Sequence, residues 1–333
     1  MGRWLVLRGT LFLSRAVAAA AVARGHDVVC AARGESGGVP DGAKLVAVDR
    51  QRPDSLDALR GERFDAVVDV AKMSYPWVRD ALAAIGPTAA HWTFVSSISA
   101  YAESDPHIPT LDAPLLEPLQ ASEFDEGMAG NAAAYGRIKV ASENAVNESV
   151  GDRAFVVRAG LICGPGDRSD RFGYWPNRFA RGGRAAVPAG RSQPAQIIDV
   201  RDLAEWIVRS GEERLTGTFD GSGPGSTLGA ILDEVADAVG APDLELVPFT
   251  DEALTAAGVD PWSGPSSMPL WIPMPDGAVL DRDTSPALAA GLRTRTIGDT
   301  ARGALETEQE LGLTRERRAG LSPADEERLL TPS

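Results

Sequence analysis

The chain opens on a short apolar run, Trp4 to Leu7 (WLVL), the pattern of a strand buried on both faces of a parallel sheet. An alanine-rich segment, Phe12 to Arg24, has helical character and stops at Gly25, a residue suited to the position just past a helix end. The alternation continues. Strands are predicted at Asp27 to Ala31 (DVVCA), Lys44 to Val48 (KLVAV), Asp65 to Val70 (DAVVDV) and His91 to Ser96 (HWTFVS). Helices are predicted at Pro53 to Arg60, with proline at the first position, and at Pro76 to Ile85. A long helix, Ala132 to Val150, leads into a strand at Ala154 to Arg158 (AFVVR). Strands alternating with helices imply an α/β fold with a doubly wound parallel sheet covered on both faces. Residues 1–163 therefore read as a Rossmann-like nucleotide-binding domain whose sheet is completed by later strands.

Residues 164–333 are less regular and read as a smaller α/β substrate-binding domain, partly interleaved with the first. Gly164 to Gly190 is rich in Gly, Pro and Arg and is predicted as loop with one short helix. Strands are expected at Ala195 to Asp199, Gly217 to Asp220 and Leu244 to Phe249, and helices at Val200 to Ser210, Leu228 to Val239 and Thr300 to Leu311. Pro261 to Pro275 carries five prolines and two tryptophans and reads as an ordered loop. Ser322-Pro323, followed by Asp325 and Glu326, has the look of a capped final helix.

With 44% apolar and 24% charged residues, the 333-residue chain has ordinary globular composition, which excludes a wholly disordered polypeptide. Its 47 acids against 33 bases give a net charge of −14, a poor match for nucleic acid or anionic membrane. The longest membrane candidate, Leu11 to Ala23, is too short and is interrupted by Arg15. Arg8 and Arg15 also break the apolar core that a signal peptide needs. Two cysteines cannot build a disulfide framework or a four-ligand zinc site, and they favour a reduced, cytoplasmic setting. The three histidines show no metal-ligand spacing. The expected partner is a small-molecule substrate, handled by a monomer or homodimer with no metal.

The bases include only three lysines, Lys44, Lys72 and Lys139, so a lysine inside a motif carries weight. Lys139 stands in Tyr135-Gly136-Arg137-Ile138-Lys139, near the start of the long predicted helix. A spacing of four puts both side chains on one helical face, where an ammonium lowers the pKa of a phenol and makes it a usable acid or base. A second element, Ser96-Ser97-Ile98-Ser99-Ala100-Tyr101, follows the fifth strand. Ligands of open α/β sheets bind at the carboxyl ends of the strands, where a serine can donate to a substrate oxygen.

These pieces resemble the extended, atypical short-chain dehydrogenase/reductase superfamily in its NAD-dependent epimerase/dehydratase branch. The resemblance spans most of the chain. It runs through Val6 to Phe12, the serine segment, Tyr135-x-x-x-Lys139, Val157 to Asp167 (VRAGLICGPGD) and Ile198 to Ala204 (IDVRDLA). It implies Tyr135 as acid/base, Lys139 as the residue that holds the nicotinamide ribose and tunes Tyr135, and Ser97 as the group that polarises the reacting carbonyl or hydroxyl. It also implies a dinucleotide lying on Arg8, Gly9, Thr10, Leu11 and Phe12.

The glycine signature is altered: Arg8 stands at the first glycine, Leu11 at the middle one and Ser14 at the last. The middle change is usual in the atypical branch. Arg8 either grips a phosphate or fills cofactor space, and the steric effect is expected to weaken dinucleotide binding. At the end of the second strand Arg33 replaces the acid that reads an NAD ribose and suits the 2′-phosphate of NADP; a solvated loop arginine is the alternative. Asp49 is placed to cap the adenine edge. Lys72 either contacts ligand or pairs with Asp69 or an incoming acid.

On the substrate side, Ser99, Arg171, Tyr174 and Trp175 are the candidates. Seven acids between Glu103 and Glu126, with no Lys or Arg, suggest a lid between Ser97 and Tyr135. Six arginines between Gly164 and Pro194 suit carboxylate or phosphate, though most are expected to be solvated. The leading reading is NADP-linked reduction, oxidation or epimerisation at an oxygen-bearing carbon, with NAD as the other cofactor. The rivals are a redox-neutral cyclase, isomerase or lyase without a dinucleotide, and a noncatalytic ligand sensor.

Overall fold

The structure is a computed structural model and describes residues 1–35, 37–102, 110–124, 131–273 and 280–331. By its internal contacts the chain divides into two units. The first comprises residues 1–160, 200–222 and 283–293; the second comprises 161–199, 223–282 and 294–333. The boundary expected after residue 163 thus falls at 160, and two later segments return to the first unit.

The first unit is built on a parallel sheet of seven strands. Six are β1 (Arg3–Leu7), β2 (Asp27–Ala32), β3 (Lys44–Ala47), β4 (Ala66–Asp69), β5 (Trp92–Ser97) and β6 (Ala154–Ala159). The seventh, Gly217–Gly221, pairs with β6, and the spatial order from that edge is seventh, β6, β5, β4, β1, β2, β3. The order reverses beside β1, the point where open α/β sheets take ligands. Helix α1 (Phe12–Ala23) packs with the helix Val200–Glu213, while α2 (Tyr75–Ile85) packs with α3 (Ala132–Val150). The central strands β1, β4 and β5 are buried along nearly their whole length because both faces are covered; Leu5, Val67, Trp92 and Phe94 are fully buried. At the helix Val200–Glu213, Trp206 meets Phe155 edge-on at 5.1 Å.

The second unit has its own core around Trp175, Phe179, Leu232 and Trp271. Several expectations change here. Gly164 to Gly190 contains a helix, Tyr174–Ala180, but also a strand, Arg184–Pro188, which pairs with Glu245–Phe249. Pro261 to Pro275 is not plain loop: Asp260–Trp262, Gly264–Pro265 and Ser267–Pro269 form short ladders, and its last two residues lie outside the described residues. Such ladders are too short to print a period of two on the sequence. In the first unit, Pro53–Leu59 is a tighter 3₁₀ helix. The final helix, Pro323–Leu330, starts as expected, with Ser322 Oγ accepting from Asp325 N at 3.1 Å.

Candidate functional site

Helix α3 starts where Asn131 accepts hydrogen bonds from Ala133 N and Ala134 N, at 3.0 and 3.3 Å. Its first turns carry Tyr135 and Lys139 to the C-terminal ends of β4 and β5. The Lys139 ammonium is 3% exposed and donates to the carbonyls of Ala71 (2.6 Å) and Val95 (2.7 Å). It lies 5.7 Å from the centre of the Tyr135 ring and 4.9 Å from that of Phe94. Burial pushes its pKa down to about 7, against the pull of Asp69 and Glu143; Lys72 and Arg8 lower it further.

Ser97 is the last residue of β5, two beyond the carbonyl that Lys139 holds, and is nearly buried. Its Oγ accepts from Ser99 N and donates to Ser99 Oγ, both at 3.2 Å; the Ser99 side chain is exposed. Ser97, Tyr135 and Lys139 are thus carried to one sheet edge by β5 and α3. Four of the seven acids in the stretch expected as a lid, Glu103, Asp105, Asp125 and Glu126, lie outside the described residues.

Behind this edge runs a buried polar chain that sequence reasoning missed. Ser96 Oγ donates to Glu143, one turn beyond Lys139 on α3. Glu143 pairs with Arg158 of β6 at 2.8 Å. Arg158 donates to Tyr101 Oη (3.0 Å), which donates to Asp220 of the seventh strand (2.8 Å). The only signal in the sequence is the spacing of four between Lys139 and Glu143.

At the other end of the edge, β1 turns into α1 through Arg8 and Gly9. Arg8 adopts φ +98°, a conformation that favours glycine. Gly9 lies against β2: a Cβ there would sit 2.5 Å from Cys30 Sγ. Thr10 is buried, Leu11 is exposed and Phe12 is half-buried at φ +37°. Ser14 is accommodated, buried with its Oγ donating to Leu11 O at 2.7 Å.

Arg8, Thr10, Leu11, Arg33, Glu35, Asp49, Arg50 and Trp77 line a cavity of about 100 Å³ at this turn. Arg33 is exposed and pairs with Glu35 at 3.3 Å. Asp49 accepts from Gln51 N at 3.1 Å. Arg50, unforeseen from the sequence, is buried and grips Asp69 bidentately at 2.7 and 2.9 Å. Asp69 is therefore not the partner expected for Lys72, which is exposed.

The remaining candidates belong to the second unit. Tyr174 and Trp175 are 2% and 0% exposed and form part of its core, with Trp175 Nε1 donating to Pro269 O at 3.0 Å. This corrects the expectation that they line a pocket: a small unit fills its interior with its largest side chains. The Arg171 guanidinium lies 5.4 Å from the centre of the Trp262 ring. Of the neighbouring arginines, Arg178 is spent on Glu326 (2.6 Å) and Arg191 on Asp233 (2.5 Å). Among the described residues no cluster of His, Cys, Asp or Glu could hold a metal, and no helix is long and apolar enough to cross a membrane.

No family model matches the chain, and no curated protein matches it. Solved structures do. The Bordetella bronchiseptica enzyme WbmH in complex with NAD⁺ is 17% identical, with a TM-score of 0.65 over 94% of this chain and all of that one. UDP-glucose 4-epimerase from Thermotoga maritima with UDP-glucose is 14% identical, TM-score 0.64, covering 93% and 99%. UDP-glucuronic acid 4-epimerase from Bacillus cereus in complex with NAD is 12% identical, TM-score 0.62, covering 93% and 97%. The chain shares their fold over 93–94% of its length.

Proposed function

We propose that this protein is an oxidoreductase-like enzyme of the short-chain dehydrogenase and epimerase kind, acting with a nicotinamide cofactor at an oxygen-bearing carbon of a small metabolite. The observation that carries the reading is the delivery of Ser97, Tyr135 and Lys139 to one edge of a seven-stranded parallel sheet, at the ends of its strands. Two enzymes of the same fold in complex with NAD, one of them UDP-glucuronic acid 4-epimerase, support it.

The cofactor's residues fit in charge. The turn after β1, the start of α1 with no side-chain cap, Arg33 and Asp49 would hold the adenosine half. The cavity is smaller than the roughly 300 Å³ at the low end of ligand pockets, so the flexible Arg8 and Arg33 side chains must turn as a dinucleotide enters. When bound, the nicotinamide supplies hydride transfer. The chain's own residues supply the rest. Ser97 Oγ donates to the reacting oxygen. Tyr135 Oη gives or takes the proton at that oxygen. The Lys139 ammonium favours the phenolate that Tyr135 becomes after giving its proton. Arg33, in place of an acid after β2, favours NADP over NAD through a charge-assisted pair with the 2′-phosphate.

Fluorescence titration with NADPH and NADH tests the cofactor; tighter NADPH binding is expected, and binding of neither removes the redox reading. Tyr135→Phe should abolish turnover without altering the fold, and a variant that keeps most of kcat removes Tyr135 from the chemistry. One observation favours a second reading, redox-neutral cyclisation, isomerisation or elimination by the same three residues. Lys139 already spends two of its protons on backbone carbonyls rather than offering them to a ribose. Substrate turnover in dinucleotide-free protein would establish it.

A further inference from the structure

We propose that Arg8 is a phosphate ligand, and that with Arg33 and Arg50 it makes the cavity at the ends of β1, β2 and β3 a site for the phosphate of an adenine nucleotide. The proposal rests on the nucleotide reading above and goes beyond it, because Arg8 takes a place that the resemblance reserves for glycine.

Three observations converge. The first is backbone strain. A side-chain-bearing residue at φ +98° is disfavoured, and such strain persists where the surrounding structure or a function holds it. The amide of Arg8 is fixed by a 2.8 Å hydrogen bond to Ala31 O, so the turn cannot relax without breaking the β1–β2 ladder.

The second is the balance of charge around the cavity. Each carboxylate near it is committed elsewhere. Asp69 is held by Arg50 and by Ala71 N (2.9 Å), Glu35 by Arg33, and Asp49 by the amide of Gln51. Among the described residues no carboxylate lies within ion-pair distance of the Arg8 guanidinium. Burial and the neighbouring Arg50 lower its pKa, and the pull of Asp69 offsets this only in part.

The third is an unmet donor. Arg50 is 7% exposed, and its Nε is buried with no acceptor. The charge of Arg50 is met by Asp69, whereas Arg8, partly buried, has no ion-pair partner among the described residues; an incoming dianion meets that charge while accepting from several guanidinium N–H groups. The start of α1, whose first amides lack a side-chain cap, adds a favourable dipole. A phosphate group is small enough for a cavity of about 100 Å³.

The charge argument therefore reverses the steric expectation drawn from the sequence, and the two make opposite forecasts for one substitution. Wild type and Arg8→Gly are titrated calorimetrically with NADPH, NADH, adenosine 2′,5′-bisphosphate and ADP, and both are melted without ligand. The expected result is a pair of opposite signs. Arg8→Gly melts at or above wild type, because glycine relieves the backbone, yet binds its preferred nucleotide at least about tenfold more weakly, the loss of one charge-assisted interaction. Loss confined to NADPH and the bisphosphate places Arg8 on a ribose phosphate; loss extending to NADH and ADP places it on the pyrophosphate. Either supports the assignment.

Equal or tighter binding by Arg8→Gly overturns the role of Arg8 and leaves the nucleotide reading standing. If NADPH and NADH fail to bind while the bisphosphate or ADP binds in an Arg8-dependent way, the dinucleotide reading falls and the phosphate site stands. If wild type binds none of the four, both fall.

Discussion

Gly136 and Ser99 are in backbone contact: a Cβ built on Gly136 would lie 1.9 Å from the Ser99 carbonyl oxygen and 2.5 Å from Leu116. No rotamer change relieves a clash with a backbone atom. The glycine is what lets the first turn of α3 approach the segment after β5, and so sets the distance between Tyr135 and Ser97. Gly136→Ala should push the two apart. The expected cost is about 1–3 kcal/mol of stability, despite the better helix propensity of alanine. Activity should fall further than stability predicts, because both flanking groups belong to the proposed site. Denaturant melts and kcat measured well below the melting temperature separate the two. An alanine variant with unchanged stability would show that α3 can shift without strain.

The Glu143–Arg158 pair lies wholly within the first unit, with side chains 4% and 7% exposed. Breaking one half of such a pair strands a charge, at about 3–5 kcal/mol, whereas replacing both halves with apolar groups is far less costly. Arg158→Met should therefore destabilise strongly, and Glu143→Leu added to it should recover part of the loss. The recovery is incomplete, because Ser96 and Tyr101 each lose a partner. A double-mutant cycle from urea melts measures the coupling; additive losses would mean the pair stabilises nothing jointly.

The doubly wound half was legible because strands covered on both faces are largely apolar, as Trp4 to Leu7 is, and because such runs alternate with helical segments. Tyr135 and Lys139 were legible through a four-residue spacing on one helix. Arg50 and Asp69 were not: their pairing joins a loop after β3 to the end of β4, and neither position has a local pattern. The arginines after Gly164 misled for the same reason, since the acid that neutralises Arg178 lies 148 residues away. Tyr174 and Trp175 looked like pocket aromatics because the flanking Gly, Pro and Arg suggested loop, but a helix of seven residues turns them into the core. Arg8 reads from sequence as a damaged turn, whereas the structure puts its backbone at φ +98°, a conformation that glycine adopts without strain.

Lys139 gives the remaining expectation, through pH. Its ordinary pKa is near 10.4, and burial holds it at about 7 in the folded chain. Between these values the unfolded chain carries a proton at this side chain that the folded chain lacks, so stability rises with pH across that window. Below pH 7 both states are protonated, and the cost of burying the ammonium is borne in full. Lys139→Met should remove this contribution, flattening the rise in stability between about pH 7 and 10. Its own offset is that the Ala71 and Val95 carbonyls lose their donors, so the variant is compared by slope rather than by level. Turnover should move the opposite way in wild type. A neutral amine can still donate to both carbonyls but no longer favours the Tyr135 phenolate, so kcat/KM should decline above about pH 7. A rate that stays flat to pH 9, together with a slope of stability that survives Lys139→Met, would show that another group titrates there and that Lys139 remains charged.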